Sequence, residues 1–231
     1  MALSILYYGH SAFKLESGGK SVLVDPYISG NPAATVEASD VNAPTIILTH
    51  AHNDHVGDTL EIAKRNDSRV IATFELATWI GSQSVAGAWG GNHGGTVAFD
   101  GGTTKFVPAW HTSSYATEDG WVAPGVPAGH IVRFGGKTTY FAGDTCLFLD
   151  MQLIAEEGID IAVIPIGDNF TMGPDDALKA VKMLRAATVI PCHYDTFSPI
   201  RQDANAFKAR VEAETSSVVA VMKPGDTLDF K

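Results

Sequence analysis

Within six consecutive positions the chain carries four side chains of the types that bind metal ions, His50, His52, Asp54 and His55, directly after the apolar run Thr45-Ile46-Ile47-Leu48-Thr49. In extended backbone, residues two apart point the same way, so His50 and His52 share a side before the chain turns and presents Asp54 and His55. Neutral imidazole and carboxylate together suit Zn2+, and also Mn2+ or Fe2+. The lack of thiolates among them points to a catalytic site and away from a structural cage. The bland alternative is a set of capping or core histidines. It is weakened by the rule that ionisable side chains are seldom buried without partners.

Such a set needs a scaffold, and the flanking sequence supplies one. Three hairpins are predicted around glycine pairs: Ala12–Glu16 with Ser21–Val24, Thr96–Phe99 with Lys105–Val107, and Ile131–Phe134 with Thr139–Phe141. Thr45–Thr49 and Ile159–Ile166 are continuous apolar runs, as expected of strands buried on both faces. Helical spacing covers Thr59–Arg65, Glu75–Gly81 and Ala204–Glu214, and a further helix starts at Pro174 with Asp175 and Asp176 in its first turn. The order hairpin, aspartate, buried strand occurs twice, from Phe13 to Asp54 and from Ile131 to Asp168, which predicts an internal duplication. The expected fold is α/β, a four-layer αββα sandwich of two facing mixed sheets in a single domain over 1–231. Gly87–Gly95 and Thr112–Gly129 are expected to be loops over the site.

Composition narrows the chemistry. A net charge of −10 without a Lys/Arg cluster disfavours nucleic acid and anionic membrane surfaces, which leaves a small-molecule substrate. No apolar stretch is long enough to span a bilayer. Met1 to Tyr8 lacks the basic residues of a secretory signal, and the two cysteines fit a reducing, cytoplasmic location. Composition leaves room for a homo-oligomer without indicating one.

The segment His50-Ala51-His52-Asn53-Asp54-His55-Val56-Gly57 resembles the signature of the metallo-β-lactamase superfamily, His-x-His-x-Asp-His with a nearby glycine. That pattern continues with a lone histidine, an aspartate closing a strand and a histidine closing a later strand. His111, Asp144 and His193 stand in those places. The resemblance implies that His50, His52 and His111 hold one divalent metal ion and Asp54, His55 and His193 a second, with Asp144 bridging. Tyr8-Gly9-His10-Ser11, Val24-Asp25-Pro26 and the run from Thr171 to Ala177 look closest to a branch of small metal-dependent hydrolases related to ascorbate-6-phosphate lactonase. The implied activity is hydrolysis of a small ester, lactone, thioester or phosphodiester by a metal-bridged hydroxide, with Asp54 as ligand and catalytic residue. A non-catalytic metal-binding sensor on the same fold is the alternative. A thioesterase of the glyoxalase type would need more chain after His193, a nuclease would need basic clamps, and a flavodiiron oxidoreductase would usually have Glu at His52.

Four further residues are candidates from outside that set. Asp25 resembles the aspartate that supports a metal-binding histidine from behind. His10 is expected to face the cleft and to bind substrate or donate a proton. Asn169 and Thr171, with Phe170, are expected in the pocket wall. Cys146 and Cys192 are expected to be buried, inert thiols, His130 to be structural and His93 to sit in a loop near the entrance.

Overall fold

The computed structural model describes residues 2–231, so the part of the N-terminal expectation that concerns Met1 lies outside it. The strands are, in chain order, β1 (Leu3–Gly9), β2 (Ala12–Ser17), β3 (Lys20–Val24), β4 (Thr45–Ile47), β5 (Arg69–Thr73), β6 (Ala88–Gly91), β7 (Thr96–Phe99) and β8 (Gly102–Pro108). After them come β9 (Tyr115–Thr117), β10 (Gly120–Val122), β11 (Ala128–Phe134), β12 (Lys137–Phe141), β13 (Ile161–Pro165), β14 (Thr188–Cys192), β15 (Val218–Val219) and β16 (Thr227–Phe230). The helices are α1 (Asn53–Val56), α2 (Thr59–Asn66), α3 (Phe74–Ser82), α4 (Met151–Ala155), α5 (Pro174–Leu184) and α6 (Ala204–Glu214).

Two seven-stranded sheets form, in the orders β16-β1-β2-β3-β4-β5-β6 and β7-β8-β11-β12-β13-β14-β15. Read this way they match strand for strand. In each, the first four strands pair antiparallel and the last three add in parallel. The duplication expected from the sequence is therefore present in the topology.

Three apolar clusters show why the layers stack as they do. Alternate residues of the first sheet, Ile5, Phe13, Val24 and Ile47, meet Phe106, Val132, Phe141 and Val163 of the second. Residues on the opposite faces pack under helices, Leu23, Ile46 and Val70 beneath α2 and α3, and Tyr140, Ala162 and Ile164 beneath α4, α5 and α6. This is the αββα sandwich, and burying each large aliphatic or aromatic side chain in it is worth about 1.5–3 kcal/mol. Local chemistry agrees with it. Pro174 opens α5, and Asp203 caps α6 by accepting from the Asn205 and Ala206 amides at 2.9 and 3.0 Å.

Both expected loops contain strands. Gly87–Gly95 supplies β6, an edge strand paired parallel to β5. Its Gly90 and Gly91 lie so close to Phe74 and Phe106 that a Cβ would fall 2.9 and 2.4 Å from them, so the glycines mark a close approach and not a loop. Within Thr112–Gly129, β9 and β10 make a small separate ribbon, and β11 already begins at Ala128.

Candidate metal centre

The candidate residues gather where strands of both sheets end. His10 follows β1, Asp25 follows β3, His50 to His55 follow β4, His111 lies just beyond β8, Asp144 beyond β12, and His193 follows β14. The chain leaves β4 because the Thr49 amide donates to Asp25 Oδ1 at 2.8 Å in place of a neighbouring strand. This ends the predicted strand two residues early. Gly57, at φ 43, allows the turn after His55 to lie against Pro26 and Tyr27; a Cβ there would sit 2.4 Å from the Pro26 carbonyl oxygen. His10, Asp25 and His193 are themselves left-handed, at φ 58, 44 and 54, a strained conformation for non-glycine residues. The backbones of two of them are joined, since the His193 amide donates to the His10 carbonyl at 2.8 Å.

Two groups of ligand-type atoms result, each within 4.8 Å of one another: His50, His52, His111 and Asp144, and His10, Asp54, His55 and His193. Asp144 stands between them. Its Oδ1 is 3.3 Å from His55 Nε2, and its Oδ2 is 3.0 Å from His193 Nε2 and 3.5 Å from His111 Nε2. Thus the seven positions picked out by the resemblance come together, and His10 joins them.

Supporting contacts fix the rings. Asp25 Oδ2 accepts from the Thr49 hydroxyl at 2.6 Å and lies 2.8 Å from His55 Nδ1. With its proton given to Asp25, Thr49 Oγ1 is left to accept from His50 Nδ1 at 3.0 Å. Asp25 therefore stands behind two histidines. Thr49, Thr112 and Ser113 are not among the site residues expected from the sequence. Thr112 Oγ1 lies 3.3 Å from His52 Nε2, and Ser113 Oγ accepts from the Ala51 amide at 3.1 Å. Threonines and serines carry no spacing signal that would have exposed them.

The residues fit metal ions by a test internal to the protein. Among the described residues, His55 Nε2, His193 Nδ1 and Nε2, and Asp144 Oδ1 are buried without a hydrogen-bond partner. Such orphaned groups are costly unless something else binds them. His55, tied at Nδ1 to Asp25 and bare at Nε2 towards Asp144, has the form that a divalent cation requires.

Electrostatics points the same way. Burial lowers the pKa of His50, His52 and His111, with the neighbouring histidines adding to the effect, so these rings stay neutral. Burial, with His193, pushes His10 down to about 4. Burial also opposes charge on His55, but Asp144 and Asp25 outweigh it and raise that pKa well above the ordinary value. Burial raises the carboxyl pKa of Asp54 and Asp144, yet the surrounding histidines win and hold both below the usual range. His10, His50, His52 and His111 are thus neutral imidazoles beside ionised carboxylates, the forms that ligate metal, while the proton that Asp144 and Asp25 hold on His55 is one that a bound cation would displace.

The remaining candidates lie elsewhere. Asn169 is exposed, and its amide donates to Asp168 Oδ1 at 2.8 Å; Thr171 Oγ1 donates to the Met172 carbonyl at 3.3 Å. Among the described residues neither bonds to the ligand-type groups. His93 reaches the Pro127 carbonyl at 2.9 Å. His130 is fully buried between the sheets. Cys192 is buried in the inter-sheet core, where burial pushes its thiol up. Cys146 is exposed, contrary to expectation, because the chain beyond Asp144 runs as an irregular surface segment and not as a strand.

The family model described as "Beta-lactamase superfamily domain" matches residues 4–193. A UPF0173 metal-dependent hydrolase of Geobacillus thermodenitrificans is 48% identical over 230 residues, 99% of this chain and 100% of that one. Another, of Thermus thermophilus, is 47% identical, with 98% of each chain covered. Among solved structures, that of Igni18, a metallo hydrolase from the archaeon Ignicoccus hospitalis, superposes with a TM-score of 0.89 at 37% identity, covering 100% of this chain and 99% of the other.

Proposed function

The chain belongs to the beta-lactamase superfamily domain family, and from that premise we propose that it is a two-metal hydrolase of small esters, lactones, thioesters or phosphodiesters. The observation that carries this reading is the meeting of two ligand groups across Asp144, with buried histidine nitrogens and a carboxylate oxygen left bare between them. Its relatives bear the name metal-dependent hydrolase, which supports the coarser part.

In this reading His50, His52 and His111 would hold one divalent cation and Asp54, His55 and His193 the other, with Asp144 available to both. Zn2+ suits the donors first, with Mn2+ or Fe2+ accepted by the same set. When bound, such a pair supplies an acidified water as nucleophile and positive charge for the oxygen under attack. The chain's own residues do the rest. Asp54 is held ionised by the surrounding histidines and its side chain is partly exposed, so it would ligate the second cation and accept a hydrogen bond from a water beside it. Asp25 holds the rings of His50 and His55 from behind, and so keeps their bare nitrogens in place. No serine or cysteine nucleophile is needed.

The test is elemental analysis of the purified protein followed by a panel of ester, lactone, thioester and phosphodiester substrates with and without chelator. We expect turnover that chelator abolishes and Zn2+ or Mn2+ restores, and a loss of at least about 100-fold in kcat for Asp54→Ala. Metal binding without turnover of any class would favour a sensor on the same fold. A protein that takes up no metal near neutral pH would overturn the proposal.

A further inference from the structure

We infer that His10 is an additional metal ligand, completing the second cation position with Asp54, His55 and His193; the inference rests on the two-metal reading above. Three independent features lead to it. The first is placement: His10 Nε2 lies 3.1 Å from Asp54 Oδ2, and its ring centroid is 4.1 Å from that of His193. The ring is almost fully buried.

The second is the direction of its protons. Thr196 Oγ1 is 2.9 Å from His10 Nδ1, and its own hydroxyl is directed to the Tyr194 carbonyl at 3.4 Å. With that proton committed, Thr196 accepts from His10 Nδ1–H and Nε2 offers its lone pair beside a carboxylate oxygen, so that a cation shared by the two takes the place that a ring proton holds in the other tautomer. His50 and His55 are built alike, each with Nδ1 tied back, to Thr49 and Asp25, and Nε2 directed inward. A buried imidazole with one nitrogen anchored and the other bare is the usual dress of a metal-binding histidine.

The third is symmetry. β1 and β8 hold the same place in the two matching sheets, each second from the outer antiparallel edge. His111, beyond the end of β8, joins the first ligand group, and His10, beyond the end of β1, joins the second. The duplication thus delivers one histidine from this strand end to each position.

The full chain loaded with 113Cd2+ decides the matter through correlations between cadmium and histidine ring protons. Six histidines coupled to cadmium are expected: His10, His50, His52, His55, His111 and His193. His10→Asn, or His10→Gln if the first does not fold, identifies the His10 signal. The same variant is expected to weaken one of the two Zn2+-binding steps by more than about 100-fold, beyond the range usual for residues outside the ligand set. Five coupled histidines with His10 silent, or a smaller loss of affinity, would overturn the inference and leave the two-metal reading intact. Failure of the wild-type chain to bind either ion would instead remove the reading on which it rests.

Discussion

Asp25 shows how much of the candidate centre hangs on a residue outside both groups of ligand-type atoms. It accepts from the Thr49 amide and hydroxyl and pairs with His55, while Thr49 in turn steadies His50. Asp25→Ala leaves the His55 ring nitrogen and the Thr49 amide and hydroxyl without their acceptor. We expect a 10- to 100-fold loss in Zn2+ affinity by calorimetry, and destabilisation of the metal-free protein by about 3–5 kcal/mol in denaturant titration. Unchanged affinity would show that Asp25 is a turn residue only. Legibility at this scale followed distance along the chain. His50 to His55 are contiguous and stood out from spacing alone. His111, Asp144 and His193 are single residues at strand ends, with no local period to mark them, and only the family resemblance found them. His10 was read as a cleft residue, because the approach of its turn to Asp54 and His193 is made by the meeting of two sheets.

Elements with a hydrophobic period were legible, and those without one were not. The expected helix Ala204–Glu214 is found at those bounds and α2, α3 and α5 start or end within a residue or two of expectation, since capping residues and apolar spacing both act locally. The short α1 and α4 carry no such signal and were not expected. β6 has no alternation and only Trp89 as a strand-favouring residue beside its glycines, and it forms because β5 offers it an edge. The ribbon of β9 and β10 is held similarly from outside. Asn53, within the histidine segment, accepts from the Ala116 amide at 2.8 Å and donates to the Ala116 carbonyl at 3.1 Å, acting as one more strand residue. Tyr115 packs on Trp79 of α3 with ring centroids 4.7 Å apart. Asn53→Ala removes both bonds, each worth about 1 kcal/mol. Amide exchange at 115–122 should then quicken by up to about 30-fold, while that of β4 stays as in the wild type. An unaltered exchange rate in the ribbon would mean that Tyr115 alone anchors it.

The duplicated sheets give the molecule its centre and also a second joint on which its pH response depends. His130 of β11 spans the sandwich: Nε2 donates to the Leu48 carbonyl at 3.1 Å, and Nδ1 lies 2.9 Å from Thr104 Oγ1. In the strand-by-strand match its counterpart is Phe13, since each faces the end of the next strand, His130 opposite Phe141 and Phe13 opposite Val24. One repeat thus keeps an apolar ring where the other keeps a polar cross-link. Burial lowers the pKa of His130 from 6.5 to about 4, partly offset by the bond to Leu48. The unfolded chain therefore binds this proton before the folded one does. Stability from the neutral ring is complete above pH 6.5 and is lost as pH falls from 6.5 towards 4, a drop on the order of 3 kcal/mol. His130→Gln keeps a donor for Leu48 but cannot titrate. In chelator-treated protein, where the metal site contributes equally to both forms, denaturant titrations at pH 7.5 and 4.5 should show a smaller fall in stability for the variant by about that amount. Parallel pH profiles for the two proteins would assign the acid sensitivity to the metal centre and remove His130 from it.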